Sequence, residues 1–267
     1  MINNLKKTNP INISCVIATH NRDEFLKEAI NSAINQTHTP LEIIIVNNVP
    51  QNNTEKTVFL ISETSPIPIK YIEHDMLGKG SISKNLGASQ CKAEYIAFLD
   101  DDDLWEADYL KEMSKLILEK KSKITYACTW KIQNKKKSPH KKLKENLKIK
   151  DFILSNPGCQ VSNLVVDKNL FIGIGGFDDS VIPSNDKDFL IRALYFGYKY
   201  NVLDKNLVIQ NKHTDQQITD FDKDFLIGMK KFYKKHEWVA NPKIRLKFWF
   251  KYWKIHLKIF VANLKKN

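Results

Sequence analysis

Neither a GxxxxGK[ST] nor a GxGxxG stretch occurs in the chain, so the usual glycine-based cradles for nucleotide phosphates are excluded. Cysteine is sparse too. Cys15, Cys91, Cys128 and Cys159 are widely spaced, form no CxxC pair and fall mostly within apolar runs, which reads as reduced core thiols rather than a disulfide framework. The opening MINNLKKTNP lacks the apolar run of a signal peptide, and the expectation is a cytoplasmic protein. No internal repeat is present.

What is present suffices for a folded core. A length of 267 residues with 42% hydrophobic and 10% aromatic content fits one large domain, or a domain with an appendage, and argues against disorder. The net charge of +12 calls for an anionic partner such as nucleic acid, acidic lipid or a phosphate-bearing substrate. The excess is regional: lysines crowd positions 131–150 and the tail from Lys230, whereas the first hundred residues are nearly balanced.

From Ile11, INISCVIAT is a short β-branched run of buried-strand type, followed by a polar turn and a helical segment to about Gln36. LEIIIVNN, IPIKYIEH and AEYIAFLD repeat the strand pattern, with helical segments near 54–63 and 81–90 between them. This alternation predicts an α/β fold with a mostly parallel sheet flanked by helices. Ligands of such sheets bind at the carboxyl ends of the strands, here the turns ATHNR, VNNVP and LDDDD. Beyond Asp103 the pattern predicts a helix from about Trp105 to Lys120, strands at ITYACTW and SNLVV, a helix over 186–196 and a strand over 198–210.

The strongest chemical signal is FLDDDDLW. Four carboxylates at the end of an apolar strand repel one another and need a cation; Mn2+ or Mg2+ suits all-oxygen ligands and bridges carboxylates to nucleotide phosphates. Helix capping by Asp103 ahead of LWEADYL is the alternative for one or two of them.

In order and spacing, SCVIATHNR, NSAINQTHTPLEIIIVNN, GKGSISKNLGASQCKAEYIAFLDDDDLW and GIGGFDDSVIPSNDKDFLIRAL resemble family 2 glycosyltransferases of the GT-A (Rossmann-like) fold, over about residues 11–197. The resemblance implies a nucleotide-sugar donor whose base is held by the first turn and the end of the second strand. The matching positions are Thr19, His20, Arg22 and Asn47. His20 either stacks on a pyrimidine or is a surface histidine. Asn47 and Asn48 stand where the family usually has aspartate, and Lys84 where it usually has arginine.

Further along, the resemblance places Asp100 near the ribose and Asp102 on the metal, with Asp101 beside the nucleotide and Asp103 in support. Asp186, in SNDKDF, matches the general base that takes the acceptor hydroxyl's proton, with Asp188 in support; helix capping is the alternative for both. Gly176 is read as letting backbone approach the sugar, or as a plain turn. His213, in NKHTDQQIT, is a candidate to complete the metal site. A single in-line attack inverts the anomeric centre.

The tail KIRLKFWFKYWKIHLKIFVANLKKN interleaves aromatics with lysines and is too charged to cross a membrane. At helical spacing Lys247, Lys251, Lys254 and Lys258 form one ridge and apolar residues fill the rest, an amphipathic basic helix. The expectation is reversible contact with an anionic cytoplasmic leaflet, with docking on the catalytic domain or a dimer as the other reading.

The expected organisation is a catalytic domain over 1–214, donor half to about 103 and acceptor half from 104, with a helical extension over 215–267. The expected activity is metal-dependent inverting transfer, UDP-sugar first, to a glycan or lipid-linked acceptor in bacterial surface polysaccharide or glycolipid synthesis. Nucleic acid is not an expected partner. The alternative is a catalytically inactive nucleotide-sugar-binding or assembly subunit, suggested by Asn47, Asn48 and Asn185.

Overall fold

The computed structural model describes residues 11–50, 53–76, 80–133, 135–211 and 223–264. The four β-branched runs form β1 (Ile13–Thr19), β2 (Glu42–Asn47), β3 (Ile69–Glu73) and β4 (Tyr95–Asp100), all parallel in the order β3-β2-β1-β4. Helices α1 (Asp23–Ile34), α2 (Thr54–Thr64) and α3 (Gly80–Gln90) connect them.

The second half extends the same sheet. Its elements are β5 (Asp103–Trp105), α4 (Tyr109–Lys120), β6 (Ile124–Gln133), β7 (Lys136–Pro139), β8 (Leu164–Asp167), α5 (Lys168–Gly173), α6 (Asn185–Tyr195) and β9 (Asn201–Asn211). The order continues from β4 through β8, β6 and β9 to β5, with β7 pairing β6. Strands β5, β7 and β8 run against the other six. The result is an α/β fold with a mostly parallel sheet.

Alternation along the strands sends side chains to two cores. Ile13, Cys15 and Ile17, with Ile43, Ile45, Ala97 and Leu99, meet α1 and α4 on one face. Val16, Ile44, Val46, Ile96 and Phe98 meet α3, α5 and α6 on the other. The same period puts Asp100 on the second face, beside α3 and α6. All four cysteines are buried and unpaired.

Helices α7 (Lys223–His236) and α8 (Pro242–Leu264) cover that second core. Phe232, Phe248 and Ile255 are buried in it, and Tyr233 stacks on Phe248 with ring centroids 3.9 Å apart. The expected boundary between residues 214 and 215 lies outside the described residues.

One expectation changes here. The helix expected from Trp105 starts at Tyr109, because Asp103, Leu104 and Trp105 pair as β5 with Gln210, Ile209 and Val208 of β9. Asp103 therefore sits in a strand, and a capping role for it is excluded.

Candidate functional site

The acidic run divides among several partners. Asp101, nearly buried at the end of β4, accepts hydrogen bonds from Thr19 Oγ1 at 2.8 Å and from the His20 backbone N–H at 3.3 Å. Arg22 Nη1 reaches Asp101 Oδ1 at 3.4 Å and Asp102 Oδ2 at 3.1 Å. Asp101 and Thr19 thus brace the first turn against the acidic run through a bond between their side chains. Exposed His20 has its Nδ1 2.7 Å from Asn48 Oδ1, which ties the first turn to the second.

Asn47 is wholly buried. Its Nδ2 donates to Val49 O at 2.8 Å and Tyr71 Oη at 2.9 Å, and its Oδ1 accepts from the Val49 N–H at 3.1 Å. An amide so engaged shapes the turn after β2. The base contact expected of Asn47 falls on an amide that already holds this turn.

Asp100 and Lys84 form the best-defined pair. Lys84 Nζ on α3 lies 2.7 Å from Asp100 Oδ1, and Asp100, Asp101 and Asp102 together overcome the burial that would otherwise lower its pKa. Lys84 stays charged. Asn185 Nδ2 at the start of α6 donates to Ser81 Oγ of α3 at 2.7 Å, so the helices bearing Lys84 and Asp186 are joined at the site.

The remaining acids suit a hard cation. Burial, then Asp100 and Asp101, push the Asp102 carboxyl up to about 6, and Asp103 is held well above the usual carboxylate range by burial, Asp100 and Asp102. Carboxylates that raise one another's proton affinity are stabilised by a bound dication. Asp102, with Asp100 beside it, would hold such an ion. No cluster of three ligand-type side chains occurs among the described residues. His213 lies outside the described residues.

Asp186 stands in the first turn of α6, facing the same cavity. The Lys187 backbone N–H donates to its Oδ1 at 2.6 Å, and Asn156 Nδ2 donates to its Oδ2 at 2.6 Å. Burial raises its pKa to about 6; Lys187 and these donors oppose the rise, and Asp100 adds to it. A carboxylate with that pKa is ionised and still basic at neutral pH.

Asp188 does something different. Fully buried, it binds Arg192 Nε at 2.8 Å, Lys235 Nζ at 2.8 Å and His236 Nε2 at 2.8 Å. Burial alone would raise its pKa, but His236, Arg192 and Lys235 outweigh that and lower it. Asp188 therefore locks α6 to α7 and fixes the helix that carries Asp186.

Two glycines set the approach of these elements. A Cβ on Gly228 in α7 would lie 1.5 Å from Ile182 O, so only glycine lets α7 close over the segment leading to Asp186. Gly176 has φ +59° and would place a Cβ 2.4 Å from Asn85 Oδ1. Asn85 in turn bonds Phe177 through both N–H and C=O. The close neighbour of Gly176 on its Cβ side is Asn85 of α3.

One cavity of about 470 Å3 joins the pieces. Its lining includes Lys84, Asp100 and Asp103, then Asn156 and Asp186, then Lys187, Lys251 and the apolar Met229, Phe232 and Phe248. Asn156, His236 and Lys187 went unread in the sequence, and Lys251 was read only as part of the basic ridge of the tail helix. A lone asparagine in SNPG and a lysine between two aspartates carry no pattern, because their partners lie 30 to 48 positions away or in other helices.

The sequence profile of glycosyl transferase family 2 matches residues 14–177. The chain belongs to that family. An uncharacterized glycosyltransferase of Rickettsia typhi is 28% identical over 217 residues, covering 78% of this chain and 66% of that protein. Staphylococcus aureus TarS, residues 1–349, solved with UDP-GlcNAc, superposes with a TM-score of 0.70 at 18% identity, covering 93% of this chain and 73% of that one. The mannosyltransferase PcManGT of Pyrobaculum calidifontis, solved with GDP-Man and Mn2+, gives a TM-score of 0.66 at 14% identity over 94% of this chain and 71% of that one. The family 2 chain shares their GT-A fold. It spans only 43% of a longer TarS chain.

Proposed function

We propose that this family 2 chain is an inverting glycosyltransferase that moves a sugar from a nucleoside diphosphate sugar, UDP-linked in preference to GDP-linked, to an acceptor hydroxyl. The observation that carries this reading is that one cavity is lined by both the Lys84–Asp100 pair and the part-buried, basic Asp186. Two fold neighbours solved with UDP-GlcNAc and with GDP-Man support the donor class.

Within this reading Asp186 takes the acceptor's proton. Asn156 and the Lys187 N–H hold its carboxylate in one orientation, and the Asp188 network holds the helix. Attack from the Asp186 side, with the diphosphate leaving toward Lys84, is one displacement and inverts the anomeric carbon. Mn2+ or Mg2+ on Asp102 and Asp100, when bound, supplies positive charge for the leaving diphosphate. Thr19, Arg22 and Asp101 act by positioning the turn that His20 presents.

The tail adds a site of action. Leu246, Phe250, Trp253, Leu257 and Phe260 stand outward on α8, the first two 74% and 73% exposed, while Phe248 and Ile255 are buried on the opposite side. Lys247, Lys254 and Lys258 flank the outward row. No helix among the described residues is long and apolar enough to cross a membrane. An outward apolar row beside lysines suits an anionic membrane surface, and with it a lipid-linked glycan acceptor in surface polysaccharide or glycolipid assembly.

The test is a thermal-shift and turnover panel of UDP-, GDP- and CDP-sugars with and without Mn2+. A sugar nucleotide that both binds and turns over supports the reading. Binding without turnover under every condition favours the inactive-subunit alternative.

A further inference from the structure

Two lysines are buried among the described residues, Lys84 and Lys187, and Lys84 has Asp100 at 2.7 Å. Lys187 is only 8% exposed, yet its ammonium makes no hydrogen bond or ion pair among the described residues; it lies 4.1 Å above the ring of Phe232 and lines the cavity. A buried ammonium without a hydrogen-bonding partner is costly, and an aromatic face compensates only part of that cost.

Burial opposes the Lys187 charge, the neighbouring Asp186 carboxylate favours it, and a second amine stands nearby. Lys251, from α8, lines the same cavity, donates to Leu154 O at 2.7 Å and repels the charge on Lys187. Lys141 donates to Asn156 O at 3.2 Å, beside the asparagine that holds Asp186. No carboxylate forms an ion pair with Lys141, Lys187 or Lys251 among the described residues. The nearby wall of Met229, Phe232 and Phe248 is apolar. Two amines and an apolar wall next to the proposed base make a place for an anion.

We propose that Lys187 and Lys251 form an oxyanion subsite in the acceptor part of the cavity, so that the acceptor carries a phosphate or carboxylate close to the hydroxyl that Asp186 deprotonates. This inference rests on the proposed transferase reading and gives that site its acceptor chemistry. Lys187 supplies the desolvated charge that makes the contact strong. Lys251 couples the subsite to α8, so the helix that faces outward also contributes to the cavity.

The test is isothermal titration of the full chain, with saturating UDP and Mn2+ occupying the donor end. The probes are hexyl phosphate, which stands for a lipid-borne phosphate, and glucose 6-phosphate, which stands for a glycan-borne one. Binding of at least one probe is expected, weakened roughly tenfold or more in Lys187→Met and in Lys251→Met. It should be retained in Lys115→Met on α4 and partly restored in Lys187→Arg. A preference for hexyl phosphate assigns the anion to a lipid, the reverse preference to a glycan.

No binding of either probe at millimolar concentration, or equal binding by Lys187→Met and the unsubstituted protein, overturns the subsite. Failure of UDP itself to bind counts against the donor assignment, a separate outcome read in the same titration. Lys251→Met, at a position on the outer helix, keeps the test valid if Lys187→Met does not fold.

Discussion

At the β4 end of the cavity, cations and carboxylates answer one another: Arg22 lies 3.1 Å from Asp102, and Lys84 2.7 Å from Asp100. At the α6–α8 end, no ion pair to Lys187 or Lys251 occurs among the described residues, and the adjacent carboxylate of Asp186, which favours the Lys187 charge, is held by an asparagine and a backbone N–H. On the proposed reading, the first end receives a cation and a diphosphate together, and the second keeps one base reactive beside two amines. A transfer reaction needs both, because charge grows on the leaving group while a proton leaves the acceptor.

The comparison breaks first at its two aspartates. Asp186→Asn is expected to lower turnover by about 10²–10⁴-fold with donor affinity kept. Asp102→Asn is expected to weaken donor binding as well, in calorimetry with Mn2+, since it removes a carboxylate from the other end. Equal loss of donor affinity in both variants would erase the distinction between the ends.

Asp188→Ala comes next. It leaves Arg192, Lys235 and His236 around an empty buried position, and a stability loss of about 3–5 kcal/mol in urea denaturation is expected. The same substitution should lower kcat through a displaced α6. Full stability with lowered activity would move Asp188 from positioning to chemistry.

Asp186→Asn should also alter stability, in the opposite direction. The folded carboxyl titrates at about 6, above its unfolded value, so the fold is penalised for carrying the charge. Below the unfolded pKa both states are protonated and the penalty is absent. It grows as pH rises toward 6 and is complete above it. Thermal melts should therefore show the asparagine variant gaining up to about 2–3 kcal/mol over the unsubstituted protein at pH 8, with no gain near pH 3.

The smallest effect on folding belongs to the outer face of α8. Phe250→Ser and Trp253→Ser are exposed changes, expected within about 0.5 kcal/mol in stability, and each should reduce sedimentation with phosphatidylglycerol vesicles. Point substitutions are the right probe because Phe248 and Ile255 of the same helix belong to the core. Unchanged vesicle binding in both would remove the membrane proposal.

Much of the β4 end was legible in the sequence, since local pattern dictates it. The runs SCVIAT, EIIIVN and YIAFLD are β-branched and apolar, and the alternation along the last of them places Asp100 on the face that α3 covers. The acidic run announced a site. It did not announce how its members divide, because Asp101 binds Thr19 across 82 positions and Asp103 pairs with Gln210 in β9.

At the other end local pattern says less. Asp186 was found through resemblance, whereas Asn156, His236 and Lys187 depend on contacts between segments that share no periodicity. Asn47 illustrates the converse. A polar residue at a strand end reads as a ligand contact, yet Tyr71 of the neighbouring strand and the backbone of Val49 consume its amide. Gly176 has φ +59° and packs against Asn85 of α3, a neighbour distant along the chain that no local pattern reveals.

The most direct test of the account is the pH dependence of kcat/KM for UDP-GlcNAc turnover in saturating Mn2+, for the unsubstituted protein and for Asp186→Asn. With Asp186 as the base, kcat/KM should rise with pH through an apparent pKa near 6 and level off above it, and Asp186→Asn should show low turnover without that limb. A profile flat from pH 5 to 8, or a limb near 6 that persists in Asp186→Asn, would contradict the assignment of Asp186 as the base.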